Sequence, residues 1–130
     1  MQSEPVAVVL PSAEPMIPQI QPTTLHARLA KGEVGSGQLA LIDVRQPEEF
    51  DLVRIDGALL VPLMELEARI AEVKDFCAAC RGDVVVICRA GSRSEKAINY
   101  LSSMGVPKLL NLRGGINAYA VEADPTLTPY

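Results

Sequence analysis

Apolar residues along the chain fall into two alternating patterns, short compact runs and longer stretches with a helical repeat. The compact runs are typical of strands buried on both faces, and they lie at 39–44, 58–63, 84–87 and 109–112. In the longer stretches apolar residues recur at steps of three and four, which is typical of amphipathic helices. These stretches lie at 25–31, 63–76, 92–104 and 116–123. Strands that alternate with helices predict an α/β fold with a mostly parallel sheet covered by helices on both faces.

Prolines separate the first part of the chain from this pattern. Residues 1–22 hold five of the 10 prolines, and no helix can run through that spacing because each proline lacks an N–H group. We therefore expect 1–22 to form an arm or linker, with a short strand at 17–20, and 23–130 to form the folded domain.

Length, composition and net charge limit the class of protein to which this chain can belong. The chain has 130 residues, a length that fits one domain, and its 48% hydrophobic content without tryptophan predicts an aliphatic core. A net charge of −4 and a pI near 5.0 argue against binding to nucleic acid or to anionic membranes, both of which select basic proteins. The sequence lacks an apolar run of ~18 residues and the pattern of a signal peptide, so we expect no membrane contact and a cytoplasmic location.

The turn after the strongest predicted strand is the best candidate for chemistry. It reads Cys88-Arg89-Ala90-Gly91-Ser92-Arg93-Ser94, and ligands in open α/β sheets bind where strands end. Cys88 precedes a predicted helix, so unpaired N–H groups and the positive end of the helix dipole face its sulfur. These groups and the two arginines favour the thiolate, which is the nucleophilic form. The alternative is a buried structural cysteine, although a basic turn with a glycine is a poor place to bury a thiol.

The spacing within this turn limits the kinds of reaction that it could support. Four residues separate Cys88 from Arg93. Tyrosine-phosphatase-like loops place five residues there, so that the backbone and the arginine enclose a phosphate. The shorter loop predicts a tighter cradle, suited to one additional sulfur atom. A small phosphatase or arsenate reductase of related fold is therefore the weaker alternative.

Several short motifs together resemble the rhodanese (sulfurtransferase) family over roughly residues 20–130. In chain order they are Leu41-Ile-Asp-Val-Arg45, Glu48-Glu-Phe50, Gly57-Ala58 with Pro62, the turn 88–94, and Arg113-Gly114-Gly115 ahead of Ala118-Tyr119. One departure is Val53-Arg54, where family members usually carry Gly-His. That arginine and the ending Asp124-Pro125…Pro129-Tyr130 look like the C-terminal rhodanese domain of MoeB/Uba4-type enzymes, which activate ubiquitin-like sulfur carriers.

The resemblance implies a rhodanese-like fold, with a central parallel sheet of about five strands, and a sulfurtransferase activity without a cofactor. Cys88 would accept a sulfane sulfur, hold it as a persulfide and pass it to a thiophilic acceptor. The donor would be thiosulfate or a persulfide, and the implied partners are a ubiquitin-like sulfur-carrier protein or a cysteine desulfurase. The alternative from another class is a module that carries or senses sulfur without turnover.

The resemblance also assigns roles around Cys88. The expected substrate-binding residues are those of the loop, Arg89, Ala90, Gly91, Ser92, Arg93 and Ser94. Both arginines would attract an anionic donor. Asp43 and Arg45, at the end of a neighbouring strand, would support the loop or form a structural ion pair.

Cys77 and Cys80 form a second cysteine pair, near a predicted helix end. A four-ligand zinc site needs two further ligands, and His26 is the only histidine, so we expect no metal. An auxiliary redox role for this pair is the remaining functional interpretation.

Overall fold

A computed structural model describes residues 16–130. The part of the predicted arm before Met16 lies outside the described residues. Within that range, five strands and five α-helices follow one another. In chain order they are β1 (Gln19–Ile20), α1 (Pro22–Ala30), β2 (Leu39–Asp43), α2 (Pro47–Leu52), β3 (Leu59–Leu60), α3 (Ile70–Ala78), β4 (Asp83–Ile87), α4 (Ser92–Ser103), β5 (Leu109–Leu112) and α5 (Gly115–Glu122).

The described strands form one sheet in the order β1-β5-β4-β2-β3, and every pair in it is parallel. Strands β2 and β4 pair along their full length, from Leu39 opposite Asp83 to Asp43 opposite Ile87. Because all strands run the same way, their carboxyl ends meet at one edge of the sheet. The predicted α/β class with about five parallel strands is confirmed.

Both faces of the sheet are buried, and β4 shows why its four β-branched residues follow one another. Val84 and Val86 pack into the core under α3 and α4, whereas Val85 and Ile87 pack into the core under α1 and α5. All four side chains are at most 2% exposed. A strand with two buried faces needs an apolar residue at every position, because successive side chains point to opposite faces.

Two predicted elements differ from the observed ones. The predicted helix at 63–76 is divided, with a 3₁₀ turn at Leu63–Glu65 and α3 beginning only at Ile70. Arg69 lies at the break, where its guanidinium donates to the carbonyl oxygen of Leu60 at 3.1 Å. The apolar run 58–63 forms ladder pairs only at Leu59–Leu60, although the N–H groups of Val61 and Leu63 still donate to the carbonyls of Asp43 at 2.8 Å and Val44 at 3.0 Å.

Helix α2 is absent from the prediction, since six residues are too few for a helical repeat to show. Its start still carries a local signal, because Pro47 occupies the first helical position and Glu49 Oε2 accepts from the N–H of Gln46 at 3.0 Å. Among residues 16–130 the structure contains no helix with the length and hydrophobicity needed to span a bilayer.

Candidate active site

Residues 88–94, here called the cysteine loop, connect β4 to α4 at the carboxyl edge of the sheet. Its neighbours at that edge are the ends of β2 and β5. The N–H of Val44 donates to the carbonyl oxygen of Ile87 at 2.9 Å, and the N–H of Ile116 donates to that of Cys88 at 2.9 Å. The predicted position of the loop, at the end of the strongest strand, therefore matches the structure.

The sulfur of Cys88 lies inside this loop. Its Sγ atom accepts the N–H of Gly91 at 3.0 Å and lies 3.2 Å from Oγ of Ser94. Gly91 has a left-handed backbone with φ +110°, a conformation that favours glycine. Cys88 is only 1% exposed, so the expectation that this turn would leave the thiol accessible is wrong. The loop therefore curls around the sulfur.

A chain of polar side chains continues from the sulfur into β5 and β1. The hydroxyl of Ser94 contacts Oδ1 of Asn111, whose Nδ2 donates to Oε1 of Gln19 at 2.9 Å. Because Asn111 donates to Gln19, its oxygen faces Ser94 and accepts. The Ser94 hydroxyl has one proton and can give it to Asn111, to the carbonyl of Gly91 at 3.1 Å, or to an anionic sulfur.

Asn111 and Gln19 were not predicted as site residues. In the sequence, Asn111 is the one polar residue inside the apolar run 109–112. An amide at a buried strand position requires a hydrogen-bond partner, and in the structure Asn111 is only 2% exposed. Nothing local in the sequence indicates which residue is that partner.

Helix α5 orients the first peptides of the cysteine loop. The carbonyl of Cys88 accepts from Ile116, and that of Arg89 accepts from the N–H of Asn117 at 3.2 Å. In a planar trans peptide the N–H points opposite to the carbonyl, so the N–H groups of Arg89 and Ala90 point away from α5. Neither of these donors is paired with another group in residues 16–130. They remain available to an anion.

Gly115 permits this close approach. A Cβ atom on it would lie 2.2 Å from the carbonyl oxygen of Arg89 and 2.5 Å from the nitrogen of Ala90. Its φ is +67°, and that of Gly114 is +71°. A Gly-Gly pair after a strand favours a sharp turn into the next helix, and Gly115 also lets the cysteine loop pack on α5.

Arg93 does not extend freely over Cys88. Its guanidinium donates two hydrogen bonds to Glu49, from Nη1 to Oε2 at 2.7 Å and from Nη2 to Oε1 at 2.8 Å. This pairing, above all, lowers the pKa of Glu49 to about 2, and it raises the pKa of Arg93. Arg93 therefore ties the loop to α2, and Glu49 is a site residue that the sequence analysis did not single out.

Arg89 is exposed, and its guanidinium lies over the ring of Tyr130, 4.8 Å from the ring centre. The other predicted loop residues differ in their exposure to solvent. Gly91 and Ser94 are buried around the sulfur, whereas Ala90 and Ser92 are exposed.

Asp43 and Arg45 form an ion pair with both side chains fully buried, Nη2 to Oδ2 at 2.8 Å. A buried guanidinium requires partners for its remaining N–H groups. Arg45 finds them in the carbonyls of Glu49 at 3.1 Å and Val53 at 2.7 Å, both in the α2 region, and in the hydroxyl of Tyr130 at 3.0 Å. The pair thus braces α2, the helix that presents Glu49 to the cysteine loop.

Cys77 and Cys80 lie at the opposite end of β4. The thiol of Cys80 donates to the carbonyl of Asp83, the first residue of that strand, at 3.5 Å. Burial raises the pKa of the Cys77 thiol to about 11, which disfavours its reactive form. Within residues 16–130 no group of three or more metal-binding side chains is present.

The chain is similar to known proteins in both sequence and fold. A family model of the rhodanese-like domain matches residues 21–122. A sulfurtransferase of Allochromatium vinosum is 37% identical over 115 residues, which cover 88% of this chain and 98% of the relative. The probable adenylyltransferase/sulfurtransferase MoeZ of Mycobacterium tuberculosis is 35% identical over 111 residues, which cover 83% of this chain but 27% of the relative.

Among solved structures, a rhodanese-related protein from Thermoplasma volcanium superposes with a TM-score of 0.68 at 23% identity, covering 87% of this chain and 99% of that one. That likeness concerns the fold. The chain spans only 27% of MoeZ and 40% of a chloroplastic relative from Arabidopsis thaliana. The MoeZ match supports the predicted likeness to MoeB/Uba4-type enzymes.

Proposed function

This chain belongs to the rhodanese-like domain family, and on that premise we propose that it is a sulfurtransferase whose Cys88 carries sulfur as a persulfide. The Cys88 thiolate attacks the outer sulfur of thiosulfate, a new S–S bond forms, and the bond to the sulfonate sulfur breaks as sulfite leaves with its electron pair. A thiophilic acceptor such as cyanide then takes the terminal sulfur as thiocyanate, and the thiolate is restored. No proton or external oxidant is needed in either step.

The observation that carries the proposal is the environment of the Cys88 sulfur. Sγ lies at the start of α4 and already accepts the N–H of Gly91. The N–H groups of Arg89 and Ala90 are unpaired within the described chain, and the Ser94 hydroxyl can turn to donate to an anion. Converging donors of this kind stabilise a negatively charged sulfur, whether thiolate or persulfide.

The position of Arg93 favours sulfur transfer over phosphate chemistry. A phosphatase of related fold would need that guanidinium on the phosphate oxygens, whereas here its Nη1 and Nη2 groups both donate to Glu49. The role first expected of Arg93, attraction of the donor, is therefore reassigned to holding the loop. Arg89 is the loop arginine that we propose to meet an anionic donor.

The resemblance to MoeB/Uba4-type enzymes, which activate sulfur carriers, supports a protein of that class as the physiological acceptor, and the MoeZ match agrees with this resemblance. Such an acceptor would present a flexible tail, since Cys88 is buried and only a narrow group can enter the loop.

Steady-state assay of thiocyanate release from thiosulfate and cyanide tests this function. We expect Cys88→Ser to lose at least about a hundredfold in rate, because the hydroxyl is a far weaker nucleophile at neutral pH. Cys80→Ser is the matched control, since it removes a thiol at the other end of β4, and it should retain full activity. Hydrolysis of p-nitrophenyl phosphate that depends on Cys88 would contradict the proposal, as would a persulfide that forms without turnover.

A further inference from the structure

Tyr130 contacts Arg89 of the cysteine loop directly and is linked to Arg93 through Glu49. Its ring lies beneath the Arg89 guanidinium at 4.8 Å, and its backbone oxygen accepts from Nη2 of the same residue. Its hydroxyl donates to Oε1 of Glu49 at 2.7 Å, the carboxylate that binds Arg93. In the sequence this tyrosine stands out only as part of the family resemblance.

Tyr130 is itself held in place by side chains of the folded domain. Asn117 accepts from the N–H of Tyr130 at 3.0 Å and donates to its backbone oxygen at 2.9 Å, while Arg45 donates to its hydroxyl at 3.0 Å. The N–H of Asn117 also donates to the carbonyl of Arg89. One helix residue therefore fixes both the loop and the tyrosine that lies against it.

The arginines around the cysteine loop differ in whether a carboxylate balances their charge. Arg93 is balanced by Glu49 and Arg45 by Asp43. Within residues 16–130 Arg89 has no side-chain carboxylate as a partner, and the aromatic face beneath it attracts the guanidinium without cancelling its charge. Arg89, held by the ring and by a backbone oxygen of Tyr130, is thus the loop arginine whose charge no side-chain carboxylate in the described residues balances.

We propose that Tyr130 is a positioning residue that determines donor specificity, because its ring holds the Arg89 guanidinium where it meets a dianionic sulfur donor. The inference rests on the proposed sulfur transfer at Cys88. A guanidinium already held in place loses less side-chain freedom when a donor binds, and it attracts a doubly charged donor more strongly than a singly charged one.

Two variants isolate the aromatic face. Tyr130→Phe and Tyr130→Leu both remove the hydroxyl, and only the phenylalanine keeps a ring beneath Arg89. With the full chain and thiosulfate as the dianionic donor, we expect the KM of Tyr130→Leu to be about two- to fivefold that of Tyr130→Phe, with kcat unchanged. With methanethiosulfonate, a singly charged donor of the same sulfane sulfur, the difference should be smaller.

The same pair of variants in the Arg89→Ala background distinguishes positioning from a general structural role. We expect Leu and Phe at position 130 to give equal KM values for thiosulfate there, since the ring then has no guanidinium to hold. A difference that persists in this background, or KM values that change equally for both donors, would overturn the inference. So would equal thiosulfate KM values for the two variants in the presence of Arg89.

Mass spectrometry at saturating thiosulfate keeps this test separate from the proposed function. Persulfide on Cys88 in every variant, together with unchanged KM values, would overturn the role of Tyr130 alone. Absence of persulfide in the unaltered protein would overturn the proposed function and the role of Tyr130 together.

Discussion

At the scale of single residues, Glu49 connects the cysteine loop to the rest of the domain. Its carboxylate accepts two hydrogen bonds from Arg93, one from the hydroxyl of Tyr130 and one from the N–H of Gln46. These donors, led by Arg93, lower the pKa of Glu49 from 4.5 to about 2. The sequence showed Glu49 as one of two adjacent glutamates, and the choice between them depends on which one faces the loop in the folded chain.

The lowered pKa of Glu49 predicts a pH-dependent contribution to stability. Since its pKa is lower in the folded than in the unfolded state, the contribution is present above about pH 4.5 and is lost as the pH falls towards 2. Allowing for the solvent that reaches the pair, we expect Glu49→Gln to lower the free energy of unfolding by about 1–2 kcal/mol at neutral pH.

Urea unfolding of both proteins at several pH values between 7 and 2.5 measures this contribution. The difference between the native protein and Glu49→Gln should shrink steadily below about pH 4.5. A difference that stays constant over this range would show that the carboxylate charge does not stabilise the fold.

At the scale of elements, the contact between α5 and the cysteine loop sets the shape of the candidate site. The first N–H groups of α5 hold the carbonyls of Cys88 and Arg89, and Gly115 makes the approach sterically possible. The glycines at 114 and 115 were predictable as a sharp turn from the sequence. Their contact with the loop was not, because it joins segments that follow two different strands.

We therefore expect Gly115→Ala to lower the free energy of unfolding by more than the strain of a left-handed backbone alone. Gly105 is the matched control, since it also has a positive φ, +87°, but no atom lies within 4 Å of the place its Cβ would take. We expect Gly105→Ala to destabilise by roughly 1–2 kcal/mol, the cost of a left-handed backbone with a side chain. Gly115→Ala should lose a further ~1–3 kcal/mol, because its Cβ meets the Arg89 carbonyl.

Thermal or urea unfolding of the two alanine variants compares their stabilities, and the thiosulfate assay compares their sites. Only Gly115→Ala should reduce sulfur transfer, because only that change displaces the cysteine loop. Equal losses of stability, with activity retained in both, would contradict the packing described for α5.

At the scale of the whole molecule, the order of strands and helices was readable from the apolar pattern, and so was the edge where the candidate site lies. Parallel strands that end together bring Cys88, Arg45 and Gly114 to one edge, whatever the details of packing. The return of Tyr130 onto that edge was not readable. Its hydroxyl meets Arg45 across 85 positions of the chain, and no periodic pattern records so distant a contact.

The central claim, that Cys88 carries the transferred sulfur, is tested most directly by intact mass spectrometry after brief treatment with thiosulfate. We predict a gain of one sulfur atom in the native protein and in a Cys77→Ser/Cys80→Ser double variant, reversed by cyanide and absent in Cys88→Ser. A gain of one sulfur that persists in Cys88→Ser, or no gain in the native protein at saturating thiosulfate, would contradict the account.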